Sequence, residues 1–291
     1  MTPADDLRLS CVIITMGTRP AELARAIAST EPLRADGVEL VLVGNGAELP
    51  DVPIDVRTVR LPENRGVAGG RNAGLAASSG EVVLFLDDDG WFGDPGIGKH
   101  VAVRFAAEPR LAVLAFRVDD PGGGPGVRWH VPRLRADSDR SSAVTTFVGT
   151  GFAARRSAWA AAGGLPEQFF FAHEETDLAW RLIELGWALE YDAGARVCHP
   201  PVPNARHADW YRYDGRNRVL LARRNLPWPV AAIYLLDWLL ITMIRERRSD
   251  GALRAWLGGF AAGWRTDPGE RRPISLGTIW RLTRLGRPPV I

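Results

Sequence analysis

Short apolar runs alternate with helical segments early in the chain, and this alternation constrains the fold more than any other feature. The first run, 9–15, is rich in β-branched residues, and the segment 20–33 after it places apolar side chains at helical spacing. Such runs are typical of strands buried in a parallel sheet. The pattern predicts an α/β fold with a Rossmann-like, mostly parallel sheet flanked by helices. It continues with runs at 38–43, 56–61 and 81–86 and a helical segment at 69–78.

Helical segments replace the strands from Trp210 onward. We therefore divide the chain into an α/β domain at 1–209 and a C-terminal helical region, or appendage, at 210–291. The predicted helices of this region lie at 210–225, 229–248 and 252–265.

A stretch rich in Gly, Pro and Arg, 119–143, interrupts the alternation and predicts a long loop or hairpin. Long loops in compact domains often carry function. This one is either the rim of a substrate site, with Trp129 and His130, or a plain excursion of the surface.

Charge is divided unevenly along the chain, although the net charge is only +2. Residues 1–200 hold 20 basic and 27 acidic side chains, a net charge of −7, whereas residues 201–291 hold 16 and 7, a net charge of +9. The tail therefore either faces an anionic partner or presents a basic, solvated surface. Cys11 and Cys198 lack the paired spacing of zinc or disulfide sites, and no secretory leader opens the sequence, so we expect a cytoplasmic protein.

Three consecutive aspartates, Asp87, Asp88 and Asp89, follow the run 81–86 directly. They stand at the carboxyl end of a predicted strand, where open α/β sheets bind ligands. Oxygen ligands at this density suit Mg²⁺ or Mn²⁺ carrying a phosphorylated substrate. Because side chains alternate along a strand, we expect Asp87 and Asp89 on one side and Asp88 on the other. The alternative is an acidic turn without a ligand.

A glycine-rich segment, 64–74, carries Arg65 and Arg71 and leads into a helical pattern. Glycines let the backbone approach phosphate closely, and arginines supply fork-shaped donors. The segment is either a diphosphate contact or a structural junction between loop and helix. It matches neither the dinucleotide fingerprint nor a P-loop.

Carboxylates crowd the start of a later helical pattern, at Glu174, Glu175 and Asp177. The helix dipole favours acidic residues there, but three exceed what capping needs. One of them could instead take a proton from a hydroxyl nucleophile as a general base. His199, which closes a short strand, is either a structural histidine or a metal ligand.

In this order the segments resemble glycosyltransferase family 2, inverting enzymes of the GT-A fold that use nucleotide-activated sugars. The resemblance spans about residues 9–225. It is carried by Val12-Ile-Ile-Thr15, the 64–74 segment, the aspartates 87–89, Gly163-Gly-Leu-Pro-Glu-Gln-Phe-Phe170, Glu174-Glu-x-Asp-Leu-x-x-Arg181, His199 and Arg216-Asn217.

The resemblance implies roles for the matching positions. Asp87 and Asp89 would hold the Mn²⁺ or Mg²⁺ with the donor diphosphate, and His199 would be a further metal ligand. Glu175 would be the catalytic base. The family often has the shorter aspartate at this position, so the neighbouring Glu174 is the alternative base. The residues implied to contact the nucleotide-sugar are Thr15, Arg19, Asn45, Arg71, Asp87 and Asp88.

We therefore expect inverting, metal-dependent sugar transfer from a nucleotide-sugar to an acceptor hydroxyl, such as that of a lipid-linked glycan or another glycoconjugate. Gly44 stands where family members commonly carry an acidic residue that suits a pyrimidine N–H, so the nucleotide base stays open. One rival is a sugar nucleotidyltransferase, which would need a better phosphate loop than residues 16–20 offer. The other is a non-catalytic glycan-binding protein, against which the carboxylates argue. No nucleic-acid partner is expected.

The segment 229–244 is apolar around most of its circumference and is flanked by arginines. It would reach only about 24 Å against a hydrocarbon core of about 30 Å, and Asp237 stands at its middle, so we expect no membrane span. Two interpretations stay open for 229–265. The helices either make a peripheral contact with the inner face of the cell membrane, or pack on the body or on a second subunit in a homodimer.

Overall fold

The computed structural model describes residues 7–123, 130–134, 137–201 and 209–290, and it confirms the predicted α/β class. In chain order the elements are β1 (Leu9–Thr15), α1 (Pro20–Ser29), α2 (Glu31–Ala35), β2 (Glu39–Asn45), β3 (Val56–Leu61), α3 (Gly66–Ala77), β4 (Val82–Asp87), β5 (Trp91–Phe92), α4 (Ile97–Ala107), β6 (Leu111–Asp119), β7 (Ser142–Ala143), β8 (Gly151–Arg155), α5 (Arg156–Ala162), α6 (Glu174–Glu184), β9 (Ala188–Cys198), α7 (Trp210–Asn225), α8 (Trp228–Arg245), α9 (Asp250–Arg265) and α10 (Leu276–Arg284).

The described strands form a sheet in the order β3-β2-β1-β4-β8-β6-β9-β5, with β7 paired to β9. Strand β1 pairs in parallel with β2 and β4, and β6 pairs in parallel with β9. Strand β8 runs antiparallel to both β4 and β6, so β6 and β9 regain the direction of β1. The carboxyl ends of β1, β2, β4, β6 and β9 therefore meet at one edge, where β8 begins. This edge is where ligands bind in sheets of this kind.

Apolar residues cover both faces of the sheet. One buried cluster packs α1, α2 and α4 against one face, and a second packs α3, α5 and α6 against the other. Leu220 of α7 and Leu282 of α10 belong to the second cluster and are completely buried, as is Phe152 of β8. Each such leucine contributes roughly 2 kcal/mol by leaving water. The C-terminal helices thus share a core with the α/β body, although the secondary structure changes at residue 210.

The predicted helix 20–33 is two helices, α1 and α2, which meet at Thr30. Pro32 explains the break, because it has no N–H to continue the helical ladder. The sequence patterns did not predict α4, β6, β8, α5 or α10. In α10 the start is fixed by a local signal, since Ser275 Oγ accepts a hydrogen bond from the Thr278 N–H at 3.2 Å.

Candidate active site

Polar residues from separate elements meet at the carboxyl edge of the sheet. Thr15, Asn45 and Asp87 are the last residues of β1, β2 and β4, and His199 directly follows β9. Gly149 lies just before β8, which starts at the same edge. The fold therefore brings together side chains that the sequence separates by more than a hundred residues.

Asp87, Asp89 and His199 form a candidate metal centre. One ligand atom from each lies within 4.8 Å of the other two. His199 Nε2 is 3.0 Å from Asp89 Oδ1. Two carboxylates and one imidazole present oxygen and nitrogen donors that fit a divalent cation. These are the three metal ligands that the resemblance implied.

The strand ends at Asp87, so a turn, and not alternation along a strand, places Asp89 beside it. The Gly90 N–H donates to the Asp87 carbonyl at 3.0 Å and closes this turn. Asp88 points back toward β1, where its Oδ2 accepts a hydrogen bond from Thr15 Oγ1 at 2.7 Å. Arg19 binds both Asp88 and Asp89. Thr15, Arg19 and Asp88 thus form one hydrogen-bonded group beside the metal candidates.

Burial and charge shift the pKa values of this cluster. Burial raises the pKa of Asp87, and Arg71 opposes the shift without cancelling it. Burial lowers the pKa of His199, but the hydrogen bond to Asp89 and the negative charges of Asp89 and Asp87 together outweigh it, and the pKa is raised. His130 stands edge-on to His199 with ring centroids 5.6 Å apart, and burial lowers the pKa of His130 to about 4. The structure thus brings His130 to the site, whereas Trp129 lies outside the described residues.

Arg71 of α3 connects the two halves of the site. Its Nη2 lies 3.1 Å from Asp87 Oδ1 and its Nη1 lies 3.0 Å from Glu175 Oε1. Nη2 also donates to the Gly149 carbonyl at 2.7 Å. A Cβ on Gly149 would lie 2.4 Å from both Arg71 Nη2 and Glu175 Oε1, closer than atoms can approach. The glycine is therefore needed for this arginine to reach both carboxylates.

The two adjacent glutamates at the start of α6 have different surroundings. Glu175 faces Arg71 and its side chain is 16% exposed. Glu174 is 1% exposed, and its Oε2 atom is buried without a hydrogen-bond partner. Burial, followed by repulsion from Glu175, raises the pKa of Glu174 to about 8. At neutral pH Glu174 is therefore largely protonated.

Asn45 supports the glycine-rich segment from within the protein. Its Nδ2 donates to Asn64 Oδ1 at 3.0 Å and to the Gly66 carbonyl at 2.9 Å, and its Oδ1 accepts from the Arg65 N–H at 2.9 Å. Both of its amide hydrogens are thus engaged inside the chain. Among the residues implied to contact the nucleotide-sugar, Asn45 has a structural role that the sequence did not indicate.

The loop before α6 adopts an unusual backbone. Phe170, Ala172 and His173 have φ values of 61°, 71° and 71°, which residues with a Cβ rarely adopt. Asn217 of α7 holds this loop, because its Nδ2 lies within 2.9 Å of the carbonyls of Phe169, Phe171 and Ala172. This contact gives the Arg216-Asn217 motif a physical role in positioning α6.

His173, the residue before Glu174, is anchored by the C-terminal helices. Its Nε2 lies 2.8 Å from Asp214 Oδ1 in α7, and the indole N–H of Trp256 in α9 donates to Asp214 Oδ2 at 2.6 Å. Burial alone would raise the pKa of Asp214, but Arg218 and His173 lower it well below its usual range. Sequence reasoning missed His173, Asp214 and Trp256, since no local pattern indicates this contact across three helices.

Comparison with known proteins gives a consistent result. The model of the family Glycosyl transferase family 2 matches residues 10–161. The pre-mycofactocin glycosyltransferase of Mycobacterium tuberculosis (strain CDC 1551 / Oshkosh) is 26% identical over 260 residues, covering 80% of this chain and 52% of that protein. The O-antigen chain rhamnosyltransferase RfbN of Salmonella typhimurium is 24% identical over 179 residues, covering 55% and 56%. The chain spans about half the length of these relatives.

Solved structures share the architecture. The TarS 1-349 structure from S. aureus superposes with a TM-score of 0.60 at 16% identity, covering 88% of this chain and 81% of that one. The mannosyltransferase PcManGT from Pyrobaculum calidifontis, in complex with GDP-Man and Mn²⁺, superposes with a TM-score of 0.56 at 15% identity, covering 98% and 81%. At this identity the similarity concerns the fold, and the predicted GT-A architecture is confirmed.

Proposed function

This chain belongs to glycosyl transferase family 2, and from that premise we propose that it transfers a sugar from a nucleoside-diphosphate donor to an acceptor hydroxyl with inversion at the anomeric carbon. In such a single displacement the hydroxyl attacks while the nucleoside diphosphate departs from the opposite face of the sugar. The protein must then hold a diphosphate on one side and a proton acceptor on the other.

One observation carries the proposal: Arg71 joins the two groups that this reaction needs. The same guanidinium lies 3.1 Å from Asp87, in the candidate metal centre, and 3.0 Å from Glu175, the candidate base. Because Arg71 is buried, its two partners are fixed relative to each other. A sugar bound alongside this guanidinium would present its leaving group to the aspartates and its opposite face to the base.

Glu175 is the base in this proposal, and Glu174 is not. A general base must be ionised at the working pH, and Glu174 is held protonated by a pKa raised to about 8. Glu174 is also buried away from solvent, whereas part of the Glu175 side chain is exposed. A neutral Glu174 serves the site in another way, because it avoids a second negative charge next to Glu175.

Asp87, Asp89 and His199 would hold Mn²⁺ or Mg²⁺, and their oxygen and nitrogen donors fit such an ion. A cation bound there would neutralise negative charge on the departing diphosphate. The similar mannosyltransferase PcManGT was solved with GDP-Man and Mn²⁺, which supports a nucleoside-diphosphate sugar as the donor and Mn²⁺ as the first metal to test. Arg19, now bound to Asp88 and Asp89, is placed to meet the phosphates.

The proposal is tested by assaying sugar release and transfer from a panel of nucleotide-sugars with Mn²⁺, Mg²⁺ or chelator. Glu175→Gln should keep donor affinity, measured by calorimetry, and lose about 10²- to 10⁴-fold in turnover. Glu81→Gln is the matched control, because Glu81 is exposed and directly precedes β4, at the edge of the sheet opposite to the site. Near-native turnover of Glu175→Gln would remove it as the base.

Two further outcomes separate the rival functions. Release of pyrophosphate from a nucleoside triphosphate and a sugar phosphate would indicate a nucleotidyltransferase instead. Binding of a glycan without turnover of any nucleotide-sugar would indicate a binding protein. Product with retained anomeric configuration, read by nuclear magnetic resonance, would refute the single displacement.

A further inference from the structure

We propose that one side of α8 lies in the headgroup region of an anionic membrane. This side carries five apolar residues, which we call the α8 stripe, and each is between 48% and 65% exposed. The stripe consists of Ile233, Leu236, Leu240, Met243 and Ile244. Exposed apolar surface of this extent is costly in water and typically marks a contact site.

The stripe is continuous because of helical geometry. At about 100° per residue, its positions fall within one third of the helix circumference. The opposite side of α8, with Ala231, Tyr234 and Leu235, is buried against the protein. Asp237, the only acidic residue of α8, falls at the edge of the stripe. The helix is thus divided lengthwise into a packed side and an exposed apolar side.

A helix divided in this way lies along a membrane surface and does not cross it. Among the described residues, α8 is the helix long and apolar enough to span, with 18 residues and a mean hydropathy of 1.4. Its packed side, however, rests mainly on α7, where Arg218 Nη1 donates to the Tyr234 hydroxyl at 3.2 Å. Tyr234 also meets Trp180 of α6, with ring centroids 6.3 Å apart. The packed side cannot face lipid, so only the stripe is available to it.

Charge identifies the lipid as anionic. Arg245, Arg247 and Arg248 are exposed at the C-terminal end of the stripe. At the other end Trp228 is 56% exposed and stacks under the Arg271 guanidinium, 4.1 Å from its ring centroid. Exposed aromatic and basic residues that flank an apolar surface are typical of interfacial helices.

The same charge disfavours a second copy of the chain as the occupant. Residues 201–291 carry a net charge of +9, from 16 basic and 7 acidic residues. A symmetric dimer across the stripe would bring two such regions together, whereas anionic headgroups would neutralise them.

The packed side of α8 faces a cleft that three helices share. It is lined by Thr176 and Trp180 of α6, Arg218 and Leu221 of α7, and Tyr234 and Trp238 of α8. The cleft therefore lies on the side of α8 opposite to the stripe, and membrane contact at the stripe would leave it uncovered. The inference does not depend on the proposed function, since membrane binding is measured without donor or acceptor.

The test is flotation of the full chain with phosphatidylcholine vesicles that contain or lack phosphatidylglycerol. Each mixture is measured at low salt and at about 1 M salt, because the Debye length falls to about 3 Å at 1 M and charge attraction is then screened. We expect flotation only with phosphatidylglycerol, and its loss at high salt. Arg247→Glu/Arg248→Glu should reduce the bound fraction at least about tenfold. Its control, Arg57→Glu/Arg60→Glu, changes the net charge equally at exposed positions of β3 and should float normally.

A second pair of variants tests the apolar contact. Leu236→Asn/Leu240→Asn should abolish flotation, whereas Ile54→Asn/Leu276→Asn, at apolar positions that are 104% and 73% exposed, should retain it. Circular dichroism confirms that each variant is folded. Three results would overturn the proposal: no flotation of the wild-type chain, flotation that is equal on neutral vesicles, or a soluble dimer that Leu236→Asn/Leu240→Asn converts to a monomer.

Discussion

Replacing Glu174 by glutamine should stabilise the protein, and the gain should grow with pH. The pKa of Glu174 is raised to about 8 in the folded protein from an ordinary value of 4.5, chiefly by burial. At pH values between these two pKa values, Glu174 is ionised in the unfolded chain but protonated in the folded protein. The chain must therefore bind a proton when it folds. Each pH unit in this range therefore costs about 1.4 kcal/mol of folding free energy. Below the pKa that Glu174 has in the unfolded chain, this group costs no stability. As the pH rises from that pKa toward the raised pKa of the folded protein, stability is lost.

The magnitude follows from this linkage. Near pH 4 both proteins are neutral at this position, and the free energies of unfolding should differ little. At pH 7 the wild-type chain has lost about 3 kcal/mol through Glu174, whereas Glu174→Gln has lost nothing because an amide does not titrate. Above about pH 8 the difference should level off, since the folded carboxyl also ionises there.

Urea unfolding at several pH values between about 4 and 8 measures this difference directly. Glu175→Gln is the informative comparison, because it removes one of the two carboxylates that pair with the buried Arg71 and should destabilise the chain at pH 7. Glu174→Gln should also retain turnover, whereas Glu175→Gln should lose it. The reasoning is refuted if the stability difference between Glu174→Gln and wild type is constant across this pH range, or if Glu174→Gln becomes less stable than wild type as pH rises.

Three further predictions concern other contacts of the site. Gly149→Ala should lower turnover by about 10²-fold, because its Cβ would stand 2.4 Å from Arg71 Nη2 and displace it. Steady-state kinetics measures this loss, circular dichroism confirms that the variant is folded, and near-native turnover would contradict the role of Gly149. Trp256→Phe should cost about 2 kcal/mol of stability by removing the indole N–H from the charged Asp214, as measured by urea unfolding. Asp89→Ala should abolish Mn²⁺-dependent binding of nucleoside diphosphates without unfolding the chain, and unchanged affinity by calorimetry would contradict this assignment.

The sequence alone predicted the α/β class and the residues of the candidate site, but it did not predict the inner strands β6 and β8. Apolar runs separated by helical segments predict a parallel sheet because they report which residues leave water, and that information is local. The positions of Asp87, Glu175 and His199 at element ends also follow from local patterns. These patterns predicted strand ends at Asp87 and His199 and a helix start at Glu175, and the family resemblance assigned all three residues to one site.

Tertiary structure decided which groups act together and in which protonation state. Glu174 and Glu175 are adjacent residues of the same type, but only Glu175 pairs with Arg71. Glu174 is the more deeply buried of the two, and burial raises its pKa. Burial depends on what packs around a side chain, and here the packing comes from elements far apart in the chain. The same holds for the contact of Trp256 with Asp214, which joins residues 42 positions apart. Local periodicity carries no information about such pairings, so only the folded chain could reveal them.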